Sequence, residues 1–389
     1  MPEELMARLQ QRLTQQRTRD LYRQRRVIDS PQQVELQSEG ETLLNFCSND
    51  YLGLANHPDI AQAMKRGIDR WGVGSGAAHL VTGHTAAHHA LEEELAGWLG
   101  RERALLFSTG YMANIGAIGA LLGRGDHLFE DRLNHASLID GGLAGSATLH
   151  RYRHVDTAAL EQQLEEVDSG NSMVASDGVF SMDGDIAPLQ QLVACCGRRD
   201  ALLMIDDAHG IGVLGEQGKG CSAGFSQQQV PVLMATLGKA FGVFGAFVAG
   251  SETLIETLIQ GARSWIYTTA PPAAMAEALR AALKIVANDA WRREQLQLLV
   301  SRFRLGAGQL GLPLMPSETP IQPLLAGSAE RALRWSQALR KHGILVTAIR
   351  PPTVPQGSAR LRITFSAVHT AAHVDRLLDA LEQVQRRHG

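Results

Sequence analysis

Between about residues 85 and 250 the chain alternates short apolar runs with amphipathic stretches, and this alternation limits the fold more than any other feature. The runs fall at 104–107, 127–129, 173–175, 201–205, 232–235 and 246–249. Each has strand length and is apolar at nearly every position. Stretches of helical periodicity, such as 86–99 and 157–167, lie between them. Strands that are apolar on both sides need cover on both sides. The pattern therefore predicts an α/β fold, a mostly parallel central sheet flanked by helices. Ligands of such sheets bind beyond the carboxyl ends of the strands, so the residues just after each run are the ones to inspect.

The flanking regions read differently. Residues 3–26 have helical periodicity, with Leu5, Leu9 and Leu13 on one stripe. They read as an arm packed on something larger. Residues 43–46 read as a short strand. After Pro271-Pro272 a long helical pattern covers 273–310, and a breaker-rich segment covers 311–320. Strands are expected at 321–325, 345–348 and 360–365, and a last helix at 370–387. The expected division is an N-terminal helical arm over 1–45, a large α/β domain over 46–280 and a smaller α+β domain over 281–389.

Composition narrows the function classes. The formal net charge of -3 gives no reason to expect nucleic acid or an anionic membrane as partner. No apolar run reaches the ~18 residues of a membrane span. The polar, arginine-rich N-terminus lacks the apolar core of a secretory signal. Cys47, Cys195, Cys196 and Cys221 have no metal-ligand or redox spacing, so reduced thiols in a cytoplasmic protein are expected. Only five of the 37 basic residues are lysines, which shortens the roster of amine nucleophiles.

Five turns after the apolar runs carry chemistry. Asp206-Asp207-Ala208-His209-Gly210 follows 201–205. A carboxylate there is costly to desolvate without a partner, such as a protonated ring nitrogen; the alternative is a capping aspartate beside a surface histidine. Thr236-Leu237-Gly238-Lys239 follows 232–235. A lysine in that position suits an amine kept dry enough to condense with a carbonyl. Ser108-Thr109-Gly110-Tyr111 follows 104–107 and opens a helical pattern. It reads as an anion site using the Gly110 and Tyr111 N–H groups, or as an ordinary N-cap. Asn134-His135-Ala136-Ser137 follows 127–129, placing a histidine able to stack on a planar ring. Residues 176–185, which include Ser181, follow 173–175. A carboxylate, an amine, two histidines and a phosphate-type turn on one sheet edge form the inventory of a pyridoxal phosphate site.

Two other motifs are set aside. The string Gly72-Val73-Gly74-Ser75-Gly76-Ala77 follows a helical segment rather than a strand, so it lacks the context of a dinucleotide site. His84 and His88 have helical i, i+4 spacing, but no further ligand is evident, and no metal is expected.

The ordered motifs resemble those of the α-oxoamine synthases, fold-type I pyridoxal phosphate enzymes. The matching stretches are 49–53, 134–137, 177–184, 206–210, 236–239 and 359–362. The resemblance implies that Lys239 anchors pyridoxal 5'-phosphate as a Schiff base and later moves the α-proton. Asp206 would pair with the ring nitrogen, and His209 and Ser181 with the phenolic oxygen. His135 would stack on the ring and contact substrate. Gly110, Tyr111 and Thr236 would hold the phosphate, and Thr268 and Thr269 would reach the phosphate of the partner subunit in a homodimer. Arg362 would take the amino acid carboxylate, with Arg23, Asn49 and Thr353 as further substrate contacts. Residues 347–355, together with Tyr22-Arg23, resemble the branch of the family that condenses L-alanine with a pimeloyl thioester on coenzyme A or acyl carrier protein, in biotin biosynthesis. The alternatives are the sister reaction of glycine with acetyl-CoA and a non-catalytic binder built on the same fold.

Overall fold

The computed structural model describes residues 3–388; Met1, Pro2 and Gly389, at the ends of the expected arm and C-terminal domain, lie outside the described residues. The chain forms two compact units. One comprises Asn49–Ser181 and Asp185–Gln295, the other Met1–Ser48, Met182–Gly184 and Leu296–Gly389.

The first unit is built on a seven-stranded sheet. Its strands, numbered along the chain, are β1 (Arg103–Phe107), β2 (His127–Asp131), β3 (Thr148–Tyr152), β4 (Ser172–Asp177), β5 (Leu202–Asp206), β6 (Val232–Thr236) and β7 (Ala246–Gly250). Their order is β1-β7-β6-β5-β4-β2-β3. All neighbours are parallel except β7, which runs antiparallel to β1 and β6. The six apolar runs are thus six of the seven strands. Side chains alternate between two cores. Leu128, Met173, Ala175 and Met204 join one with the helix Gly110–Leu121. Phe129, Val174, Leu203 and Ile205 join the other with the helices Thr157–Glu165 and Leu189–Arg199. Successive strand residues point to opposite faces, and both faces are covered. This is why the runs are apolar at nearly every position.

The second unit holds two small sheets. Ile321–Gly327 and Thr347–Ile349 pair antiparallel with Ala359–Thr364 on either side. Glu35–Ser38 and Glu41–Asn45 form a hairpin, and Ile344–Leu345 adds a parallel strand to it. Thr364 N donates to Phe46 O at 2.8 Å. These backbone bonds group the N-terminal stretch with the C-terminal third.

Two expected helices differ from the reading. The first ends at Thr18 rather than residue 26, where Asp20 adopts φ 56° and breaks the repeat. Its apolar stripe is not buried: Leu9 and Leu13 are exposed. The 273–310 pattern is two helices, Ala273–Asn288 and Ala290–Gln309, interrupted at Asp289. No helix among the described residues is long and apolar enough to cross a membrane.

Candidate active site

The carboxyl ends of β4, β5 and β6 lie side by side. Asp177 and Asp206 are register partners on adjacent parallel strands, and Asp206 faces Met234 on β6. Gly178 N donates to Asp206 O at 2.7 Å, extending the ladder into the loops. Two sequence-distant carboxylates thereby share one buried edge.

Asp206 is 4% exposed and is held by neutral donors. Asn114 Nδ2 donates to Oδ2 at 2.7 Å and Ala208 N to Oδ1 at 3.0 Å. A buried carboxylate among neutral donors suits a cationic ring N–H. Asp177 accepts from His135 N at 2.9 Å. Burial, reinforced by the Asp206 charge, pushes Asp177 well above the usual carboxylate range, against the pull of Lys239 and of the His135 N–H.

Lys239 lies in the hairpin loop between β6 and β7. Leu237 N donates to Gly245 O at 2.8 Å and Gly242 N to Lys239 O at 2.9 Å, which fixes the backbone on both sides of the half-buried lysine. Its charge acts on both His135 and Asp177, so the amine belongs to the same cluster.

His135 caps the helix Ala136–Ala144, accepting from Ser137 N through its ring. The ring is exposed, yet the atoms packed behind it desolvate it. This lowers its pKa below the ordinary value, with Lys239 adding to the effect and Asp206 and Asp140 opposing it. His209 is 8% exposed, and its Nδ1 lies 2.7 Å from Tyr51 Oη. Tyr51 Oη also donates to Asn49 Oδ1 at 3.3 Å, which brings Asn49 into the cluster.

The expected anion turn is a helix start. Thr109 caps Gly110–Leu121 by accepting from Met112 N at 3.2 Å. Gly110 sits against β6: a Cβ there would lie 2.6 Å from Thr236 Cγ2. Absence of a side chain lets the helix N-terminus pack closely against Thr236, and the free N–H groups there form a cradle for an anionic group. Thr236 Oγ1 donates to Ala208 O at 3.3 Å. The Tyr111 hydroxyl donates to Asp140. The cradle, the carboxylate and the amine fit pyridoxal phosphate.

Ser181 is half-buried at the end of the loop after β4, Thr268 is half-buried and Thr269 exposed. Arg23, Thr353 and Arg362 belong to the other unit. Arg362 is 6% exposed on Ala359–Thr364, opposite Thr347. Arg23 and Thr353 are exposed, and Arg23 helps hold the Arg350 pKa below its ordinary value, which burial lowers and Asp20 opposes.

Sequence reasoning missed three members. Tyr51 lies inside the 49–53 motif, and Ser137 inside the 134–137 motif. Asn114 is one helical turn past Gly110, the position from which a side chain returns to the sheet edge.

The His84/His88 pair is not a ligand pair. His88 is engaged at Nδ1 by Thr85 N at 3.1 Å and at Nε2 with Pro271 O at 2.7 Å. Among the described residues His84, His89 and Glu92 place one donor atom each within 4.8 Å of one another. Glu92 is engaged within the fold, its Oε1 accepting from Leu106 N at 2.9 Å.

Comparison with known proteins agrees with this geometry. The family model of aminotransferase class I and II matches residues 41–381. An 8-amino-7-oxononanoate synthase of Thioalkalivibrio sulfidiphilus is 60% identical over 384 residues, covering 98% of each chain. Among solved structures, a serine palmitoyltransferase from S. paucimobilis with a bound PLP–myriocin adduct superposes with a TM-score of 0.94 at 26% identity, covering 100% of this chain and 99% of that one. An 8-amino-7-oxononanoate synthase from Francisella tularensis has a TM-score of 0.77 at 32% identity, covering 89% and 98%.

Proposed function

The chain belongs to the 8-amino-7-oxononanoate synthases within the aminotransferase class I and II family, and from that premise we propose that it joins L-alanine to a pimeloyl thioester. Carbon dioxide and the free thiol leave, and 8-amino-7-oxononanoate is formed for biotin biosynthesis. The acyl carrier is coenzyme A or acyl carrier protein. The protein is a pyridoxal phosphate-dependent acyltransferase.

Pyridoxal phosphate, when bound, supplies the electron sink that makes the α-carbon of the amino acid acidic and then nucleophilic. Lys239 anchors it through the ε-amine and moves the proton at the α-carbon. Asp206 would receive the ring N–H. His209, steadied by Tyr51, and Ser181 would bond the phenolic oxygen, and His135 would contact the ring. Gly110 and Tyr111 N–H groups and the Thr236 hydroxyl would hold the phosphate. Arg362 takes the substrate carboxylate with its planar fork, and Arg23, Asn49 and Thr353 complete the substrate contacts. The same reading makes the protein a cytoplasmic homodimer in which Thr268 and Thr269 reach the partner's phosphate.

The observation that carries this reading is the juxtaposition of Asp206, Lys239 and the Gly110 cradle at one sheet edge. The test begins with the visible spectrum of the purified protein before and after borohydride, and with locating the reduced residue, expected at Lys239. L-Alanine is then added alone, followed by the pimeloyl thioester on either carrier, and thiol release is measured. Conversion to the pyridoxamine form by alanine alone would identify an aminotransferase. Faster turnover of glycine with acetyl-CoA would identify the sister reaction, and no turnover at all a binding protein.

A further inference from the structure

The Asn114 amide has no part in the roles above, yet it sits between two groups that do. Asn114 lies fully buried on Gly110–Leu121. Its Nδ2 donates to Asp206 Oδ2 at 2.7 Å and to Ser137 Oγ at 2.8 Å. Ser137 Oγ in turn lies 2.7 Å from His135 Nδ1.

The direction of every proton along this chain follows from donor chemistry. The amide turns its NH2 toward the Asp206 carboxyl oxygen, which accepts. That orientation leaves Asn114 Oδ1 buried with no hydrogen-bond partner. Buried amides avoid this, so the orientation is imposed by Asp206 and Ser137 together. Ser137 Oγ accepts from Asn114 and keeps one proton of its own to donate onward. The Ser137 backbone N–H, which can only donate, also faces Nδ1, at 3.3 Å. A nitrogen that faces two donors presents its lone pair, so the imidazole proton is on Nε2.

We propose that Asn114 is a positioning residue that, through Ser137, locks His135 as the neutral Nε2–H tautomer and links that ring to Asp206. The charged groups acting on the ring are Asp206, Lys239 and Asp140, and the titratable Asp177 accepts from the His135 backbone N–H. The depressed His135 pKa agrees with a neutral ring, since protonating Nδ1 would set a proton against two donors. For the reaction proposed above, His135 then acts as a hydrogen-bond donor and not as a base. Proton transfer at the α-carbon is left to Lys239. This catalytic meaning rests on the cofactor reading; the tautomer itself does not.

The test is NMR of the full-length chain labelled with ¹⁵N-histidine, with and without pyridoxal phosphate. His135 is identified by the resonance lost in His135→Gln. The wild type should show Nε2 protonated and Nδ1 bare, with a pKa below the ordinary histidine value. Ser137→Ala removes one atom and should raise that pKa by about one unit and mix the tautomers. Asn114→Ala should act in the same direction, and the double variant should add little beyond the larger single effect. A purely structural Asn114 would lower Tm and leave tautomer and pKa alone. An Nδ1–H tautomer in the wild type overturns the proposal, as does an unchanged His135 in folded Ser137→Ala. Failure of borohydride to fix a cofactor at Lys239 would sink the function reading while leaving the tautomer result standing.

Discussion

Replacing Gly110 with alanine tests the cradle most directly. The new Cβ would lie 2.6 Å from Thr236 Cγ2 and 3.7 Å from Met234 Cε. Carbon atoms rest at ~3.5–4.0 Å, so something must move by about 1 Å. Thr236 is a poor candidate, because its branched side chain is stiff at χ1 and its hydroxyl is bonded to Ala208 O. The movement therefore falls on the helix start, displacing the Gly110 and Tyr111 N–H groups from Thr236. Overpacking of this kind costs ~1–3 kcal/mol. Expressed in the phosphate grip, that is a loss of about 5- to 150-fold in pyridoxal phosphate affinity. The control is Gly119→Ala in the same helix, where nothing lies within 4 Å of the new Cβ. There the loss of glycine freedom should stabilise the chain by ~0.5–1 kcal/mol and leave affinity alone. The assay is an absorbance titration of cofactor into cofactor-free protein, with urea unfolding of all three proteins. Wild-type affinity in Gly110→Ala, or an equal loss in Gly119→Ala, refutes the reasoning.

Three other perturbations have defined outcomes. Burial raises the Glu92 pKa to about 8, so the folded chain keeps a proton that the unfolded chain loses above pH ~4.5. Stability falls as pH rises across that window, and the gap between wild type and Glu92→Gln in urea unfolding should move in favour of the variant by a few kcal/mol; a constant gap refutes this. His154 bridges Asp131 at 3.1 Å and Asp185 at 2.9 Å. Against desolvation, these bonds raise its pKa to about 10, so its contribution is full below pH ~6.5 and is lost as pH rises through 10. His154→Gln should cost on the order of 2 kcal/mol at pH 6 and little at pH 10; a cost independent of pH counts against it. Arg360 Nη1 meets Asp183 Oδ1 at 2.7 Å, with the two side chains 3% and 15% exposed. Arg360→Met should destabilise by ~3–5 kcal/mol, and removing the Asp183 charge as well should recover much of it; additive losses in thermal unfolding would refute the pairing.

The site was legible in the sequence as a set of turns, and less so as a set of contacts. Lys239 and Asp206 each follow a run that is apolar throughout, and His135 follows one apolar at all but His127; that signal survives without neighbours. β3 escapes the pattern because its residues Thr148–Tyr152, at one edge of the sheet, are mostly only half-covered, so no continuous apolar run marks it. The leucine and arginine spacing that predicts a helix to residue 26 persists past Thr18, whereas the break comes from the backbone of Asp20.

The sequence by itself determined which residues leave the strands at the ligand edge. Burial of both sheet faces is written into each strand locally, and the polar residue that ends a run is read from the same line. Tertiary structure decided which strand ends are neighbours. Asn114 and Asp206 stand 92 positions apart and Tyr51 and His209 158 apart, yet each pair is hydrogen-bonded. Similar apolar strands carry no local mark of their partners. The choice is made when sheet order, register and helix packing satisfy the buried polar groups together.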